Sequence, residues 1–315
     1  MRTRFLPWAT MAMLGMAATG SAQLWMDDFD VDTSANWTVN GGPSDEAADF
    51  SFDYSTIGIS AAPGSSGGST RGLRLRANMD GGVFSGLSVS PIGKNFTGDY
   101  ILRADVWMNF NGPAPGGGSG STQIGGLGIG TSGTVANWPS IADGVYFMAS
   151  GDGNSSADYR AYSPAAQASY ADTSGVYLAG NAAGSRNHNH PYYAGFGAVS
   201  PPAAQTALFP QQTGITLIGS QAFEWHEYKI KKVGNTITWS IDGLDIAIVD
   251  ASTFALGGGN IMLNHSDINA TSSTDVNDFL ICTIFDNVKV EVVPEPATIA
   301  ALGLGVAAVL RRRRK

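Results

Sequence analysis

Acidic residues near the start of the chain have a spacing that could bind a cation. Asp28, Asp30 and Asp32 alternate along the chain, as the first three ligands of a calcium loop do. An EF-hand loop also needs Gly at its sixth position and Glu at its twelfth, where this chain has Thr33 and Val39. The spacing therefore excludes an EF-hand. It leaves a cation site only if another part of the chain completes it.

Aromatic side chains could bind a sugar by stacking on its ring. The segment Tyr159-Arg-Ala-Tyr162 would direct its two tyrosine rings to opposite faces of a strand. Three further aromatic residues fall in stretches with loop composition. The candidate ligand-binding residues are accordingly Tyr159, Tyr192, Tyr193 and Trp138. The alternative is that these rings pack in the core or anchor loops.

Hydrolysis of a glycoside needs two carboxylates about 5–10 Å apart across the sugar. The glutamates between residues 23 and 293 are Glu46, Glu224, Glu227 and Glu291. Glu224 and Glu227 are three residues apart, so on a strand they would face opposite sides. The sequence therefore assigns no catalytic residue.

Other short motifs lack the context that their chemistry needs. Gly64–Gly68 matches a nucleophile elbow but has no strand before it and no helix after it. Gly128–Gly133 matches a dinucleotide fingerprint without the following helix. His188 and His190 could be two metal ligands, but no third is indicated. Cys282, the single cysteine, stands in an apolar run and is interpreted as a buried thiol.

The composition is that of a loop-rich β protein. Of 315 residues, 43% are hydrophobic and only 14% are charged, with 41 Gly and 14 Pro. These values argue against a disordered chain, a coiled coil or a collagen.

The first 22 residues have the features of a secretory signal peptide. Arg2 and Arg4 precede an apolar stretch, and Gly20-Ser21-Ala22 supplies small residues before a cleavage site after Ala22. We expect this leader to form a signal helix.

The C-terminus has the features of a second targeting segment. Pro294-Glu295-Pro296 is followed by apolar residues 297–310 and then by a terminal cluster of cations. Fourteen residues rise about 21 Å as a helix, so we predict a short transmembrane helix whose cations remain cytoplasmic. The three parts together resemble the PEP-CTERM sorting signal. The residues that carry the resemblance are Pro294, Glu295, Pro296, Arg311, Arg312, Arg313 and Arg314.

This resemblance implies recognition by an exosortase, a membrane cysteine transpeptidase. The tail would contact the inner membrane transiently and then be removed. The remainder would reach the cell surface or an exopolysaccharide matrix.

Removal of both ends changes the charge of the protein. The whole chain has 18 Lys and Arg against 26 Asp and Glu. The leader accounts for two cations, and residues 294–315 account for five cations and one acid. Residues 23–293 therefore have a net charge of −14. This charge argues against nucleic acid or an anionic membrane as a partner.

Strand signals dominate between the two ends. The predicted strands are 72–78, 83–89, 99–110, 124–130, 144–149, 158–163, 226–233, 235–241, 244–249, 260–264, 278–284 and 286–292. Gly234-Asn235 and Asp242-Gly243 predict tight hairpins.

The segment 223–250 resembles the closing half of a concanavalin A-like jelly roll of the laminin-G-like or laminarinase-like type. Residues 285–290 resemble the last strand of such folds, and 27–30 the first. The resemblance implies an all-β, two-sheet antiparallel jelly-roll sandwich. We expect one domain over residues 23–292, after the signal peptide 1–22 and before the sorting signal 293–315.

In such a fold the first and last strands are adjacent. The resulting hypothesis is a structural calcium ion held by Asp28, Asp30 and Asp286 with backbone carbonyls. The alternative is that these aspartates are solvated or cap turns. Laminarinase-like enzymes carry Glu-x-Asp-x-x-Glu or Glu-x-Asp-x-Glu, and neither motif is present. We therefore expect no enzyme of that type.

Three functions remain open. The first is an exported surface or matrix protein that binds polysaccharide and is sorted by an exosortase-like system. The second is a purely structural surface protein. The third is a hydrolase with an unrecognised site.

Overall fold

Antiparallel strands are the main regular element of the described residues. The computed structural model describes residues 22–42, 45–79, 84–115, 122–139, 141–153, 155, 157–164, 186–268 and 278–294. These residues contain fourteen strands. They are β1 (Gln23–Asp27), β2 (Trp37–Gly41), β3 (Glu46–Asp53), β4 (Arg71–Ala77), β5 (Ser85–Pro91), β6 (Tyr100–Asn109), β7 (Gln123–Thr131), β8 (Val145–Ser150), β9 (Tyr159–Tyr162), β10 (Trp225–Val233), β11 (Thr236–Ile241), β12 (Leu244–Asp250), β13 (Asn260–Asp267) and β14 (Cys282–Val292).

The strands form two sheets. Sheet A has eight strands in the order β12-β11-β10-β6-β14-β4-β3, and β1 also pairs with β14. Sheet B has six strands in the order β2-β5-β13-β7-β8-β9. Each pair in both sheets is antiparallel. The predicted all-β, two-sheet antiparallel sandwich is confirmed.

The last strand organises sheet A. One edge of β14 pairs with β6, while its other edge pairs first with β4 at 283–285 and then with β1 at 288–291. The register against β6 shifts between Asp286 and Lys289, and Asn287 has a positive φ of 51°. Such a bulge directs two successive side chains away from the regular alternation. Asp286 and Asn287 therefore lie where the regular pairing of β14 with β6 is interrupted.

Both predicted hairpins are confirmed. Gly234 has a φ of 55° in the turn between β10 and β11. Asp242 and Gly243 have φ values of 49° and 80° between β11 and β12, as a two-residue primed turn requires.

The core lies between the two sheets. Its largest fully buried side chains include Trp239 and Tyr228 from sheet A and Phe147 from sheet B. The rings of Phe147 and Trp239 stack across the interface with centroids 5.4 Å apart. A polar contact also joins the sheets, because His265 Nδ1 lies 2.8 Å from Thr283 Oγ1.

A second layer covers part of the outer face of sheet A. It comprises the segment 54–70 and the short helix α1 (Ala203–Leu208). Gln205 donates to the carbonyl of Ile57 at 2.9 Å and to Asn109 Oδ1 at 3.1 Å. A Cβ on Gly58 would lie only 2.3 Å from the backbone nitrogen of Gln205, so the close approach requires glycine there.

Three features differ from the expected strands. The first strand, expected at 27–30, is Gln23–Asp27, and the strands β2 and β3 were not predicted. The predicted strands 278–284 and 286–292 correspond to the single bulged strand β14 (Cys282–Val292), which a 3-10 helix at Asp278–Leu280 precedes. The expected helices at the ends, in the leader and in residues 297–310, lie outside the described residues. Within the described part of the chain, no helix is long and apolar enough to cross a membrane.

Candidate functional site

A groove of about 470 Å³ opens on the outer face of sheet A beside the β14 bulge. The register explains why its lining residues meet. Asp105 on β6 pairs with Glu227 on β10 and with Asp286 on β14, and Arg103 pairs with Lys289. Residues at alternate positions of three adjacent strands therefore share one face. The groove is lined by Gln23, Met26, Pro63, Gly64, Arg103, Ala104, Asp105, Trp225, Glu227, Asp242, Asn287 and Lys289.

Ion pairs fix the floor of the groove. Arg103 donates from Nη1 to Glu227 Oε1 and from Nε to Glu291 Oε2, both at 2.9 Å. Lys289 Nζ lies 3.8 Å from Glu291 Oε1. Each side chain is partly exposed, so these pairs position polar groups more than they stabilise the fold.

Trp225 supplies an aromatic wall. Its ring packs edge-on against Tyr54 with centroids 5.2 Å apart and lies 5.6 Å from Trp107. Its indole N–H donates to the carbonyl of Ser60 at 2.9 Å. The side chain is thus held rigid but half-buried, and it keeps surface toward the groove. A fixed aromatic surface beside polar groups suits a sugar ring.

The opposite wall is formed by Pro63 and Gly64. The backbone N–H of Gly64 donates to Asp105 Oδ2 at 2.9 Å, and Asn287 Nδ2 donates to the same oxygen at 2.9 Å. A Cβ on Gly64 would lie 2.7 Å from Asp105 Oδ2. The wall therefore approaches the sheet as closely as it does because residue 64 has no side chain.

Asp286 lies behind this wall and is almost fully buried. Its carboxylate accepts hydrogen bonds from Tyr54 Oη at 2.9 Å, Ser65 Oγ at 2.8 Å and the N–H of Asn287 at 2.7 Å. Burial raises the pKa of Asp286 to about 6, helped by the charge of Asp105 and opposed by these hydrogen bonds. Burial also raises the pKa of Asp105, and the charge of Glu227 acts in the same direction.

Asp242 closes one end of the groove. Its Oδ2 lies 2.7 Å from Nδ1 of the buried His226, and its Oδ1 accepts the N–H of Glu227 at 2.8 Å. These bonds anchor the β11–β12 turn to β10. The carboxylate is consequently held next to Glu227.

The structure does not assemble the predicted calcium ligands. Strands β1 and β14 are adjacent as expected, with Asp27 opposite Val288. However, β4 occupies the next part of the β14 edge, so the chain turns away after Asp27. Asp28 Oδ1 accepts the N–H of Asp30, whereas Asp286 faces Tyr54 and Ser65.

Among the residues that the structure describes, no three His, Cys, Asp or Glu side chains form a group that could hold a metal ion. The hypothesis of a calcium ion between Asp28, Asp30 and Asp286 is therefore corrected. Both histidines of the His188–His190 segment have local roles. His188 Nδ1 lies 2.9 Å from the carbonyl of Ile218, and His190 Nδ1 accepts the N–H of Tyr192.

The predicted sugar-stacking residues lie mostly inside the protein. Tyr159, Tyr193 and Trp138 are buried, and Tyr159 stacks on Tyr193 with centroids 3.9 Å apart. Tyr192 is partly buried, and its hydroxyl donates to the carbonyl of Asp245. Because stacking on a ligand needs an exposed ring face, the buried positions of Tyr159, Tyr193 and Trp138 favour the alternative that these rings pack in the core or anchor loops. They anchor the segments on which they lie.

One detail of the aromatic prediction is borne out. Tyr159 packs in the main core against Trp239, whereas Tyr162 stacks on Tyr146 in a second cluster on the outer face of sheet B. The two rings thus take opposite faces of β9, as their spacing predicted.

The sequence patterns did not predict the groove. Its residues come from β1, β6, β10, β14, a turn and a loop. The available signal was the alternation of charged residues in three strands that were each predicted. Only the pairing of these strands brings Arg103, Glu227 and Lys289 together.

The end of the chain matches a known family model. Residues 292–315 match the PEP-CTERM protein-sorting motif. The chain carries a PEP-CTERM sorting motif. The motif indicates an exported protein that an exosortase sorts to the cell surface or beyond. Of the residues assigned to the signal, Pro294 is described and exposed, and Glu295, Pro296 and Arg311–Arg314 lie outside the described residues.

Solved structures are similar to this chain at low sequence identity. One is a protein of unknown function with a galectin-like fold from Bacillus subtilis, 12% identical, with a TM-score of 0.43 over 86% of this chain and 96% of that one. Another is an endo-1,3-beta-glucanase from Streptomyces sioyaensis, 14% identical, with a TM-score of 0.43 over 88% and 98%. A carbohydrate-binding module from Bacillus subtilis is 12% identical, with a TM-score of 0.37 over 81% and 95%.

Because these sequence identities are at most 14% and the TM-scores are below 0.5, the similarities do not indicate a ligand or an activity for this chain. No curated protein sequence matches the chain.

Proposed function

We propose that this is an exported surface or matrix protein that binds polysaccharide in the groove on sheet A. Residues 1–22 direct export and are cut after Ala22. An exosortase-like transpeptidase processes residues 293–315 after transient contact of the tail with the inner membrane. The domain of residues 23–292 then remains at the cell surface or in the extracellular matrix.

The observation that carries the binding proposal is the rigid Trp225 beside polar side chains from three strands. A sugar offers an apolar ring face and a rim of hydroxyls. The ring face fits Trp225, and the hydroxyls fit the carboxylates and amide of Asp105, Asp242 and Asn287, which accept and donate hydrogen bonds.

A hydrolase is the second candidate, because the carboxyl groups of Asp105 on β6 and Asp286 on β14 are at paired positions of adjacent strands. The raised pKa of Asp286 would suit a proton donor. Against this role, the Asp286 carboxyl does not line the groove, and three hydrogen bonds from the protein occupy it. Incubation with polysaccharide followed by a reducing-end assay decides between binding and cleavage. Cleavage that Asp105→Asn abolishes would support the hydrolase.

Binding is tested with exopolysaccharide in affinity electrophoresis and calorimetry. We expect Trp225→Ala to weaken binding at least tenfold and Lys289→Ala to weaken it severalfold. Lys231→Ala is the matched control, because Lys231 is exposed on the same sheet but does not line the groove. Binding that is unchanged in both groove variants, or no binding by the wild type, would overturn the proposal.

A further inference from the structure

We propose that the segment Pro63–Ser69, here called the strap, is a proton-controlled wall of the groove. A proton shared between Asp286 and its neighbours holds the strap against sheet A, and loss of that proton loosens it. The consequence for ligand binding rests on the proposed function, but the movement of the strap does not.

The strap is fastened to the sheet through two carboxylates. Ser65 Oγ donates to Asp286 Oδ2 at 2.8 Å, and Gly64 N–H donates to Asp105 Oδ2 at 2.9 Å. Asn287 Nδ2 lies between them, 2.9 Å from Asp105 Oδ2 and 3.3 Å from Ser65 Oγ. The charge state of these carboxylates therefore bears directly on the position of the strap.

The remainder of the strap has little packing of its own. Ser66, Gly67 and Gly68 are all exposed. A Cβ on Gly67 or Gly68 would meet no atom within 4 Å, and both have positive φ. In contrast, Tyr54, Ile57 and Ile59 just before the strap are buried. Movement would thus be confined to the strap.

The hydroxyl of Tyr54 links the proton to both ends of the strap. It accepts the N–H of Ala62 at 3.1 Å and has two acceptors within reach, Asp286 Oδ2 at 2.9 Å and the carbonyl of Ser69 at 3.1 Å. A hydroxyl has one proton to donate. When Asp286 is ionised, Tyr54 donates to it and cannot also donate to Ser69.

Protonation resolves this competition. The neutral carboxyl of Asp286 donates its proton to Tyr54 Oη, and Tyr54 then donates to the carbonyl of Ser69. The far end of the strap thus gains a hydrogen bond at Ser69, while Ser65 Oγ keeps the Asp286 carboxyl as its acceptor with a weaker bond, because the acceptor is now neutral. The protonated state is consequently the one in which the strap is held at both ends.

The charges around Asp286 favour this proton. The charge of Asp105 on β6 acts on Asp286, and the charges of Glu227 on β10 and Lys289 on β14 act in opposite directions on Asp105. Two neighbouring buried carboxyl groups resist being ionised together. The raised pKa of Asp286, about 6, and the raised pKa of Asp105 agree with the geometry.

The direction of the pH effect follows. A carboxyl released from the site would titrate near its ordinary value of 3.8. The closed strap is therefore favoured most below about pH 4, and that advantage is lost as the pH rises through about 6. The closed-to-open ratio would change by up to roughly a hundredfold between these limits.

Hydrogen exchange of the strap tests the proposal without any glycan. We expect the protection of backbone amides 62–69, corrected for intrinsic exchange, to fall at least tenfold from pH 5 to pH 7.5. In Asp286→Asn, which has a neutral side chain at both pH values, the pH dependence of protection should be much smaller than in the wild type, because only Asp105 still titrates at the strap. Asp32→Asn is the control, because Asp32 is exposed and bonds only locally to Ser34.

Tyr54→Phe keeps the ring and removes the hydroxyl, and it serves if Asp286→Asn fails to fold. It should lower the protection at pH 5 and flatten the pH dependence. Equal protection of the wild type at both pH values, or a retained slope in both variants, would overturn the strap proposal. Exopolysaccharide affinity measured separately at pH 5 and 7.5 then shows whether the groove responds, so failure of binding and failure of the strap are distinguishable.

Discussion

The backbone N–H of Val292 donates to the carbonyl oxygen of Ala22 at 2.9 Å. The first and last strands of the sandwich therefore begin and end side by side, with Gln23 opposite Glu291. The predicted leader joins the domain at Ala22, and the sorting motif starts at residue 292. Both segments that we expect to be processed are attached at the same end of the sandwich.

Substitution of Trp25 tests how much the first strand contributes to the free energy of unfolding. Its ring packs against Trp37 and Phe96, with centroid distances of 5.5 Å and 6.4 Å, and so joins β1 to β2 of sheet B. We expect Trp25→Ala to lower the free energy of unfolding by about 2–3 kcal/mol. Leu24→Ala on the exposed side of the strand should cost less than about 1 kcal/mol. Urea denaturation measures both, and equal losses would contradict the assigned packing.

His265 should make the protein less stable in acid. Burial lowers the pKa of His265 to about 3, whereas the unfolded residue titrates near 6.5. Below pH 6.5 the unfolded chain binds a proton that the folded chain does not, so stability falls between pH 6.5 and about 3. This loss is about 2–3 kcal/mol at pH 4.5.

Asp286 acts in the opposite direction, since its raised pKa increases stability as the pH falls from about 6 toward 3.8. The effect of His265 is therefore isolated by comparing the wild type with His265→Gln in urea titrations from pH 4.5 to 7.5. The variant should lose the acid-sensitive part of the slope. Parallel pH profiles of the two proteins would show that His265 is not responsible.

A glycine in sheet B has no room for a side chain. A Cβ on Gly126 would lie 1.7 Å from the carbonyl oxygen of Phe147 on the neighbouring strand. Gly126→Ala should cost several kcal/mol or prevent folding, because strand β8 would have to move. Gly41→Ala is the matched control, since its nearest atom would be Glu46 Oε2 at 3.5 Å, an ordinary contact. Equal melting temperatures for the two variants would refute this packing.

Most of sheet A follows from patterns in the sequence. Alternation between Trp225 and Asp250, punctuated by two glycine turns, predicted β10, β11 and β12 nearly to their ends. The strands β2 and β3 were missed for different reasons. Trp37–Gly41 contains Asn and Gly, and Glu46–Asp53 shows no burial alternation because all its residues are partly exposed. Pairing with β5 and β4 makes these segments strands.

The site was less predictable than the fold. Asp286 was singled out from its position in the last strand, but its side-chain direction depends on the bulge at Asn287. Three of the aromatic candidates, Trp138, Tyr192 and Tyr193, were chosen by loop composition, which does not distinguish an exposed ring from one that anchors a loop. Tyr193 is an example, because Tyr159 covers it. Trp225 stands at the start of a predicted strand, and only strand pairing indicates that it borders a groove.

The terminal cations should be needed for correct processing. Replacing Arg311–Arg314 with Gln removes the positive charge that, in our proposal, holds the end of the tail on the cytoplasmic side. We expect unprocessed protein to accumulate in the cell and the amount released at the surface to fall severalfold. Lys231→Gln is the control, because it removes a positive charge from an exposed side chain of the folded domain. Arg74→Gln would be a poor control, because Arg74 pairs with Asp49. Unchanged release after loss of the four arginines would argue against this role.

The central claim is that the chain is exported and sorted through its C-terminal motif. Intact-mass measurement of the protein released from the surface of the cells that make it tests this claim most directly. We expect a single species that begins at Gln23 and lacks residues 297–315. A released protein that still contains residues 297–315 would contradict it.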